Sequence, residues 1–192
     1  MPHRRRHHLL KKLKRSGEAL PLATDLLVHP SPAELAQIYG LFWQTYQRGK
    51  TKFERLGPPF FAAIAAQSEA RFLVLREPPS GPIVAFMLLF QLGERVINKF
   101  IGLDYGRGER AFLYFRLFDA ALDFAYGVGA KELQSGQTGY RAKLDFGHRL
   151  VSLHNVFHHE NPAIHRLFAT IGRRITWRGL DKDLAGHESP PP

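Results

Sequence analysis

The chain has 192 residues, which is enough for one well-buried domain with tails and short for two ordinary domains. Apolar residues make up 44% of it, including 15 Phe, so the composition predicts a globular protein and excludes wholesale disorder. The absence of cysteine excludes disulfides, thiolate zinc sites and a cysteine nucleophile, and it fits a reducing compartment, so we expect a cytoplasmic protein.

The net charge of +10 is concentrated at the N-terminus. Seven Lys and Arg residues and no acidic residue lie between Met1 and Ser16, which leaves +3 for the remainder. We interpret residues 1–24 as a basic leader, flexible or partly helical: a solvated segment, an amphipathic surface helix, an RNA or lipid contact, or a remnant of a longer chain. We find no run of about 18 apolar residues for a transmembrane segment and no secretory signal.

The first half of the chain predicts two helices and then an antiparallel meander. Apolar residues recur at helical spacing after the turn at Pro30 and Pro32, with Gly49 as the stop, and "FFAAIAAQ" forms a second helix behind Pro58 and Pro59. Three short runs rich in β-branched and aromatic residues follow, each bounded by Gly or Pro, and we expect three strands. These runs are "ARFLVLREP", "GPIVAFMLLFQLG" and "ERVINKFIGLDYG".

The second half predicts a crossover connection. Residues 109–126 change to helical period, and "AKELQS" is long enough for one strand only, so a helix between two strands implies a parallel pair. We further expect a short helix in "GYRAKLDFG", a long strand in "HRLVSLHNVFHH" and a final helix capped by Asn161, with Pro162 at its first position. The domain therefore spans residues 25–178, and residues 179–192 form a disordered tail.

This element order resembles that of the GNAT superfamily of N-acyltransferases. The stretch "FIGLDYGRGERAFLYFRLFDAALDFAYGVGAKELQSGQTGYRAKLDFG" is similar to the FemAB-like branch and its relatives, the predicted N-acyltransferases. The resemblance covers residues 31–168 and implies an α/β fold: a mixed sheet with an antiparallel meander, a crossover helix and a splayed parallel pair. Branch members often occur as tandem domains, so we expect this chain to be one half, the C-terminal one, of such a pair.

The turn after the third strand is a candidate phosphate site. Gly106, Arg107 and Gly108, with Arg110, combine glycines that permit close approach with a helix N-terminus and guanidinium groups. The sequence "RGERA" stands where the superfamily carries its phosphate-loop signature, and it departs from that signature. A plain glycine turn before a helix is the alternative interpretation.

The end of the crossover strand is a second candidate. The resemblance places Ser135, Gly136 and Gln137 at the edge of the gap that holds the activated acyl arm, and it implies that Lys143 neutralises a phosphate or an oxyanion. Alternatively, Gln137 caps the next helix and Lys143 is solvated. Four phenylalanines either line this gap or belong to the core: Phe86, Phe90, Phe100 and Phe112.

Acyl transfer to an amine also needs groups that move protons. Tyr105, Tyr114 and Tyr140 are candidate acids for the leaving group, unless they are core tyrosines, with Tyr114 also a candidate substrate contact. Asp104, at the end of "GLDYG", is a better candidate base than Glu132.

The histidines do not predict a metal site. Strand geometry separates His154 from His158 by about 13 Å, which is too far to chelate one ion. We therefore expect no metal, and we consider His154 as a substrate-binding or proton-relay residue or as an ordinary strand histidine.

The resemblance, together with these residues, implies an N-acyltransferase with no tightly bound cofactor. The donor is acyl-CoA, an acyl carrier protein or an aminoacyl-tRNA, all of them polyanions that suit the basic chain, and the acceptor is an amine. The alternatives are a non-catalytic RNA-binding or assembly module that keeps the fold, an aminoacyl-tRNA-dependent transferase of the peptidoglycan-bridge type, and a half-enzyme completed by homodimerisation.

Overall fold

The computed structural model describes residues 3–49, 52, 54–108, 111–136, 139–151, 153, 156, 158–172 and 183–184. The chain forms two compact units, one of residues 7–136 and one of residues 1–6 with 137–192. The elements, in chain order, are α1 (His3–Ala19), β1 (Ala23–Leu27), α2 (Pro32–Arg48), α3 (Pro58–Ala65), β2 (Ala70–Arg76), β3 (Ile83–Leu92), β4 (Arg95–Leu103), a 3-10 turn (Tyr105–Arg107), α4 (Leu113–Gly127), β5 (Glu132–Ser135), α5 (Tyr140–Asp145) and α6 (Pro162–Gly172).

The unit of residues 7–136 is built on a five-stranded sheet with the order β1-β2-β3-β4-β5. Neighbouring strands are antiparallel from β1 to β4, whereas β4 and β5 are parallel and are connected through α4. This topology confirms the predicted mixed sheet with a meander, a crossover helix and a parallel pair.

Helices α2 and α3 cover one face of the sheet with an aromatic-rich core. Phe42 of α2 and Phe61 of α3 lie with their ring centroids 5.0 Å apart, and the Phe86 ring of β3 packs edge-on against Phe61. Gly102 of β4 lets α2 approach closely, because a Cβ there would lie 2.7 Å from the backbone of Leu41 and of Phe42. Helix α2 is therefore held directly against β4.

Helix α4 packs against the sheet with a second set of apolar residues. Its buried side chains recur at helical spacing, as expected for a helix that buries one stripe. They are Leu113, Leu117, Phe118, Ala121 and Ala125. Leu89 of β3 is fully buried but stands apart from the α2 and α3 cluster, and strand alternation directs it to the face opposite Phe86 and Leu88.

Polar contacts fix the start of α2 and its position beside β2. Ser31 forms a capping box with Glu34, so the backbone N–H groups of these two residues are both satisfied. The Glu34 carboxylate also accepts a 2.8 Å hydrogen bond from Arg76, whose guanidinium lies 2.8 Å from Asp25 of β1 as well. This ion pair network joins α2 to the edge of the sheet.

Most of the predicted elements are observed, with corrections. The strand predicted for "HRLVSLHNVFHH" is wrong: none of the described residues within 148–159 is in a strand. Val151 and Val156 are 78% and 94% exposed, so these two apolar residues of the alternation are not packed in a core. The predicted helix at 109–126 begins later, at Leu113, because Phe112 adopts a left-handed conformation with φ 52°. Strand β1 was not predicted.

Candidate functional site

The parallel pair β4 and β5 separates part-way along β4. Pairing runs from Arg95 and Glu132 to Asn98 and Ser135, after which β5 ends while β4 continues to Leu103. A β-bulge lies at the same point, because Leu89 pairs with Asn98 and Leu88 with Phe100, so that Lys99 is the extra residue. We call the region beyond this point, where β4 and β5 are no longer paired, the gap between β4 and β5.

Two buried polar groups lie where this gap begins. Asn98 is 5% exposed, and its Nδ2 makes no hydrogen bond in the described structure; the buried Oγ of Ser135 likewise makes none. Asn98 and Ser135 are register partners in parallel strands, so both side chains point to the same face of the sheet, the face of Leu89. An unsatisfied buried donor costs about 1–3 kcal/mol, so a ligand carbonyl that accepts from these groups would bring a clear gain.

Beyond Asn98, no strand among the described residues lies beside one edge of β4. Strand β3 pairs with β4 up to Leu103, so the edge that faces away from β3 carries the backbone groups that β5 leaves unpaired after Ser135. Such an edge binds an extended molecule with amide groups by adding it as a short strand. The gap therefore combines backbone donors and acceptors with the two side-chain donors.

The turn after β4 is already hydrogen-bonded internally. The Asp104 carboxylate accepts from the Gly106 N–H at 2.9 Å and from Arg107 Nε at 3.1 Å, and the Gly108 N–H donates to the Tyr105 carbonyl. Arg107 also forms an ion pair with Glu77, and the two carboxylates raise the pKa of its guanidinium. A donor phosphate at this turn would compete with both carboxylates for Arg107.

Tyrosines flank this turn in two different environments. The Tyr105 ring lies under the Arg48 guanidinium, 4.5 Å from its carbon to the ring centroid, at the C-terminal end of α2. Tyr114 packs against Phe118 one turn later on α4, with ring centroids 4.9 Å apart. Burial raises the pKa of the Tyr114 phenol. The Tyr114 hydroxyl therefore keeps its proton at neutral pH, and its ring belongs to the packing of α4.

Lys143 and Tyr140 belong to the other unit, where both lie on α5. Lys143 is 9% exposed, and burial lowers the pKa of its ammonium to about 8. Burial, with the charge of Lys143, also lowers the pKa of His148, whose backbone N–H donates to the Lys143 carbonyl at 3.0 Å. Lys143 is therefore a group that exchanges a proton near neutral pH, as an acid–base residue must.

Three further predicted site residues lie outside the described part of the chain: Arg110, Gln137 and His154. Gly136 follows Ser135 at the exposed end of β5, while Phe86 and Phe100 pack in the aromatic core, as the alternative interpretation held. Within the described part of the chain, no three His, Asp or Glu residues are grouped to hold a metal ion, and no helix is long and apolar enough to cross a membrane.

Solved structures share this fold. The chain is similar to a ribosomal-protein-alanine N-acetyltransferase from Brucella melitensis, with 13% identity, a TM-score of 0.51, and coverage of 73% of this chain and 99% of that one. It is also similar to Tetrahymena GCN5, with 10% identity, a TM-score of 0.52, and coverage of 73% and 91%. An acetyltransferase from Trypanosoma brucei matches at 14% identity and a TM-score of 0.50, over 71% and 99%.

The fold is therefore that of the GNAT acetyltransferases. At these identities the likeness concerns the fold alone. No protein-family model matches the sequence, and no curated protein matches it.

Asn98 is the residue of this site that sequence reasoning missed. Within "RVINKF", the pattern indicates that Asn98 is an ordinary polar residue of an alternating strand, and it indicates the same for Lys99. The only available signal was the polar pair in the middle of an apolar strand, a pattern that indicates either a solvated face or a bulge.

Proposed function

We propose that this protein is an N-acyltransferase that moves an acyl group from acyl-CoA to an amine. The observation that carries the proposal is the gap between β4 and β5, with the unsatisfied donors of Asn98 and Ser135 where it begins. The pantetheine arm of acyl-CoA is an extended chain with two amides and a terminal thioester. An arm of that kind can pair with the open edge of β4 and bring a carbonyl to the two side-chain donors.

The reaction needs a neutral amine and a polarised carbonyl. The amine nitrogen attacks the thioester carbon and a C–N bond forms, while the nitrogen gives up a proton. The C–S bond breaks, and the thiolate that leaves takes up a proton to become the thiol of CoA. Donors that are preorganised at the carbonyl oxygen lower the barrier, because negative charge develops there. We assign this part to Asn98 Nδ2, supported by Ser135 Oγ.

The proton-transfer roles stay predictions from the sequence. Tyr105 and Tyr140 are the candidate acids for the thiolate, and Lys143 keeps the role predicted for it, which is to neutralise a phosphate or an oxyanion. Asp104 is less suited to act as a base than the sequence suggested, because its carboxylate is held by Arg107 and Gly106. Tyr114 is unsuited as an acid because burial raises its pKa.

The donor is tested by thermal unfolding with CoA, acetyl-CoA and a long-chain acyl-CoA. A ligand at 100 times its Kd stabilises the folded state by about 2.7 kcal/mol, which raises the Tm by several degrees. We expect a rise with acyl-CoA. No shift with any of the three would remove CoA as the donor and favour an acyl carrier protein or an aminoacyl-tRNA.

The site is tested with an Asn98→Leu, Ser135→Ala double variant. Because the change removes buried donors without partners, the variant is expected to be at least as stable as the wild type without ligand. It should nevertheless lose most of the stabilisation by acyl-CoA. Gln134→Ala is the matched control, since Gln134 precedes Ser135 on β5 but is exposed and alternates to the other face. An equal ligand shift in the double variant and the control would refute the assignment.

Further features of the proposal rest on the sequence. We place the protein in the cytoplasm and in the FemAB-like branch, with a single acyltransferase domain at residues 25–178 and a homodimer as a possible assembly. Size-exclusion chromatography with light scattering at two protein concentrations tests the dimer, which a constant monomer mass would exclude.

A further inference from the structure

Helix α1 carries a dense array of positive charge. It has seven Lys and Arg residues and three His against one acidic residue, Glu18. All seven Lys and Arg side chains are exposed. They are Arg4, Arg5, Arg6, Lys11, Lys12, Lys14 and Arg15.

The arrangement of these charges opposes helix formation. Three arginines occupy the first turn, which contains no acidic residue, although the positive end of the helix dipole favours anions there. Lys11 and Arg15 are like charges at i, i+4, which costs a few tenths of a kcal/mol. Helix stability therefore does not explain the charges, and an external anion would remove the repulsion.

Few of the charges are neutralised within the described residues. Lys14 lies 4.0 Å from Glu18, and Arg5 lies 3.3 Å from Asp145. The Lys12 ammonium lies 5.8 Å from the centroid of the Phe112 ring, which provides no net charge. Lys11 and Arg15 form no ion pair in the described structure, so the array remains strongly positive.

The part of α1 from His7 onward is held on the unit of residues 7–136. Ser16 is buried, and Arg116 of α4 donates a 2.8 Å hydrogen bond to the Leu20 carbonyl just after the helix. Leu13 and Lys14 line a pocket of about 320 Å³ with residues of β1, β2 and α4, among them Asp119. The cations from Lys11 to Arg15 are thus presented by an anchored part of the helix.

The exposed surface of α1 suits a nucleic acid better than a membrane. A helix that inserts into a lipid surface presents an apolar face, but Leu10 is the one large hydrophobic residue of α1 that is exposed, at 49%. The helix contains no Phe, Tyr or Trp on which an unpaired base could stack. What remains is an array of cations that extends about 17 Å along the helix axis, which complements the closely spaced phosphates of a duplex.

We propose that α1 binds the phosphate backbone of a nucleic acid duplex. The partner is recognised chiefly through its phosphates, because seven exposed Lys and Arg side chains make up most of the charged surface of α1. This surface is separate from the gap between β4 and β5, and the proposal stands whether or not the protein is an acyltransferase.

The test is binding of fluorescently labelled 24-base-pair duplexes of DNA and of RNA, followed by anisotropy between 50 and 200 mM KCl. The variant is the triple substitution Lys11→Gln, Lys12→Gln, Arg15→Gln. The matched control, Arg55→Gln, Lys131→Gln, Arg166→Gln, removes the same number of charges from exposed positions outside α1. Because both proteins have the same net charge, any difference between them reports where the charge lies.

We expect wild type and control to bind the duplexes with affinities within about threefold of each other, and the α1 variant to bind at least about tenfold more weakly. The slope of log K against log [KCl] should become shallower by about 2–3 in the α1 variant, because each phosphate contact contributes about 0.9. Far-UV circular dichroism should show no loss of helix in that variant, since like-charge repulsion has been removed.

Three outcomes would overturn the proposal. One is the absence of binding to either duplex at 50 mM KCl. Another is an equal loss of affinity in the two triple variants, which would mean that only net charge matters. The third is binding to vesicles of anionic phospholipid without binding to a duplex, which would assign α1 to a membrane surface.

Discussion

The substitution Gly102→Ala tests the close packing of α2 on β4, the strand that borders the proposed acyl site. A Cβ at this position would lie 2.3 Å from Phe86 Cε1 and 2.7 Å from two backbone atoms of α2, the carbonyl carbon of Leu41 and the nitrogen of Phe42. The Phe86 ring can rotate or shift, but the backbone contacts are relieved only if α2 moves away from the sheet. Overpacking of a dense core costs about 1–3 kcal/mol, and rigid neighbours place this variant at the upper end or above it.

The assay is urea unfolding followed by circular dichroism. Gly40→Ala is the control, because Gly40 lies on the same helix α2 and its Cβ would meet no atom within 4 Å. Alanine at an exposed helical position stabilises by about 0.5–1 kcal/mol, so the two Gly→Ala changes should shift the urea midpoint in opposite directions. A Gly102→Ala protein as stable as the wild type would refute the close contact between α2 and β4.

The remaining predictions concern charged and capping groups. Ser31→Ala should lower the unfolding free energy by about 1 kcal/mol through loss of the capping box, whereas Ser31→Asp should retain most of the stability that the cap provides. Equal losses of stability in the two variants, measured by urea unfolding, would contradict the capping role of Ser31. Lys143→Met should be more stable than the wild type at pH 7, because burial disfavours the charged ammonium, and its advantage should vanish as pH rises from about 8 toward 10.5; a constant difference would contradict the lowered pKa. Arg76 lowers the pKa of Glu34, so this pair stabilises above the ordinary Glu pKa and its contribution is lost as pH falls through the lowered value. Arg76→Met should therefore show a weaker loss of stability in acid-denaturation curves, and an unchanged acid curve would count against the pair.

The elements that the sequence predicted well are those with a local signature. Helix α2 has a capping residue, Pro at its first position and apolar residues at helical spacing, and all of these act within one segment. The meander has apolar runs separated by Gly and Pro turns. Strand β1, "ATDLL", is a five-residue edge strand with a half-buried pattern, and it is defined by pairing with β2, about 50 residues later in the chain.

The strand predicted at 148–159 shows the opposite error. Its alternation of Val, Leu and His satisfies the pattern, yet a strand is stabilised only where a neighbouring strand and a packed face exist. Val151 and Val156 have neither among the described residues. The alternation pattern alone therefore does not show whether a segment has the neighbouring strand and the packed face that a strand needs.

The candidate site depends on contacts between distant segments. The interpretation of Gly106 to Gly108 as a free phosphate cradle did not anticipate that Glu77, thirty residues earlier, would neutralise Arg107. Asn98 becomes an inward-facing donor through the bulge in β4 and the parallel partner β5, neither of which has a signature in "RVINKF". Ser135 was predicted because the resemblance placed the end of the crossover strand beside the gap.

Hydrogen–deuterium exchange with and without acetyl-CoA tests the central claim most directly, because it reports where the ligand lies. A donor that pairs with the open edge of β4 should slow exchange in residues 99–103 and around Ser135, where β5 ends. Exchange in β1, on the far edge of the sheet, should be unchanged. Protection confined to other segments, or unchanged exchange at a concentration that stabilises the protein, would contradict binding in the gap between β4 and β5.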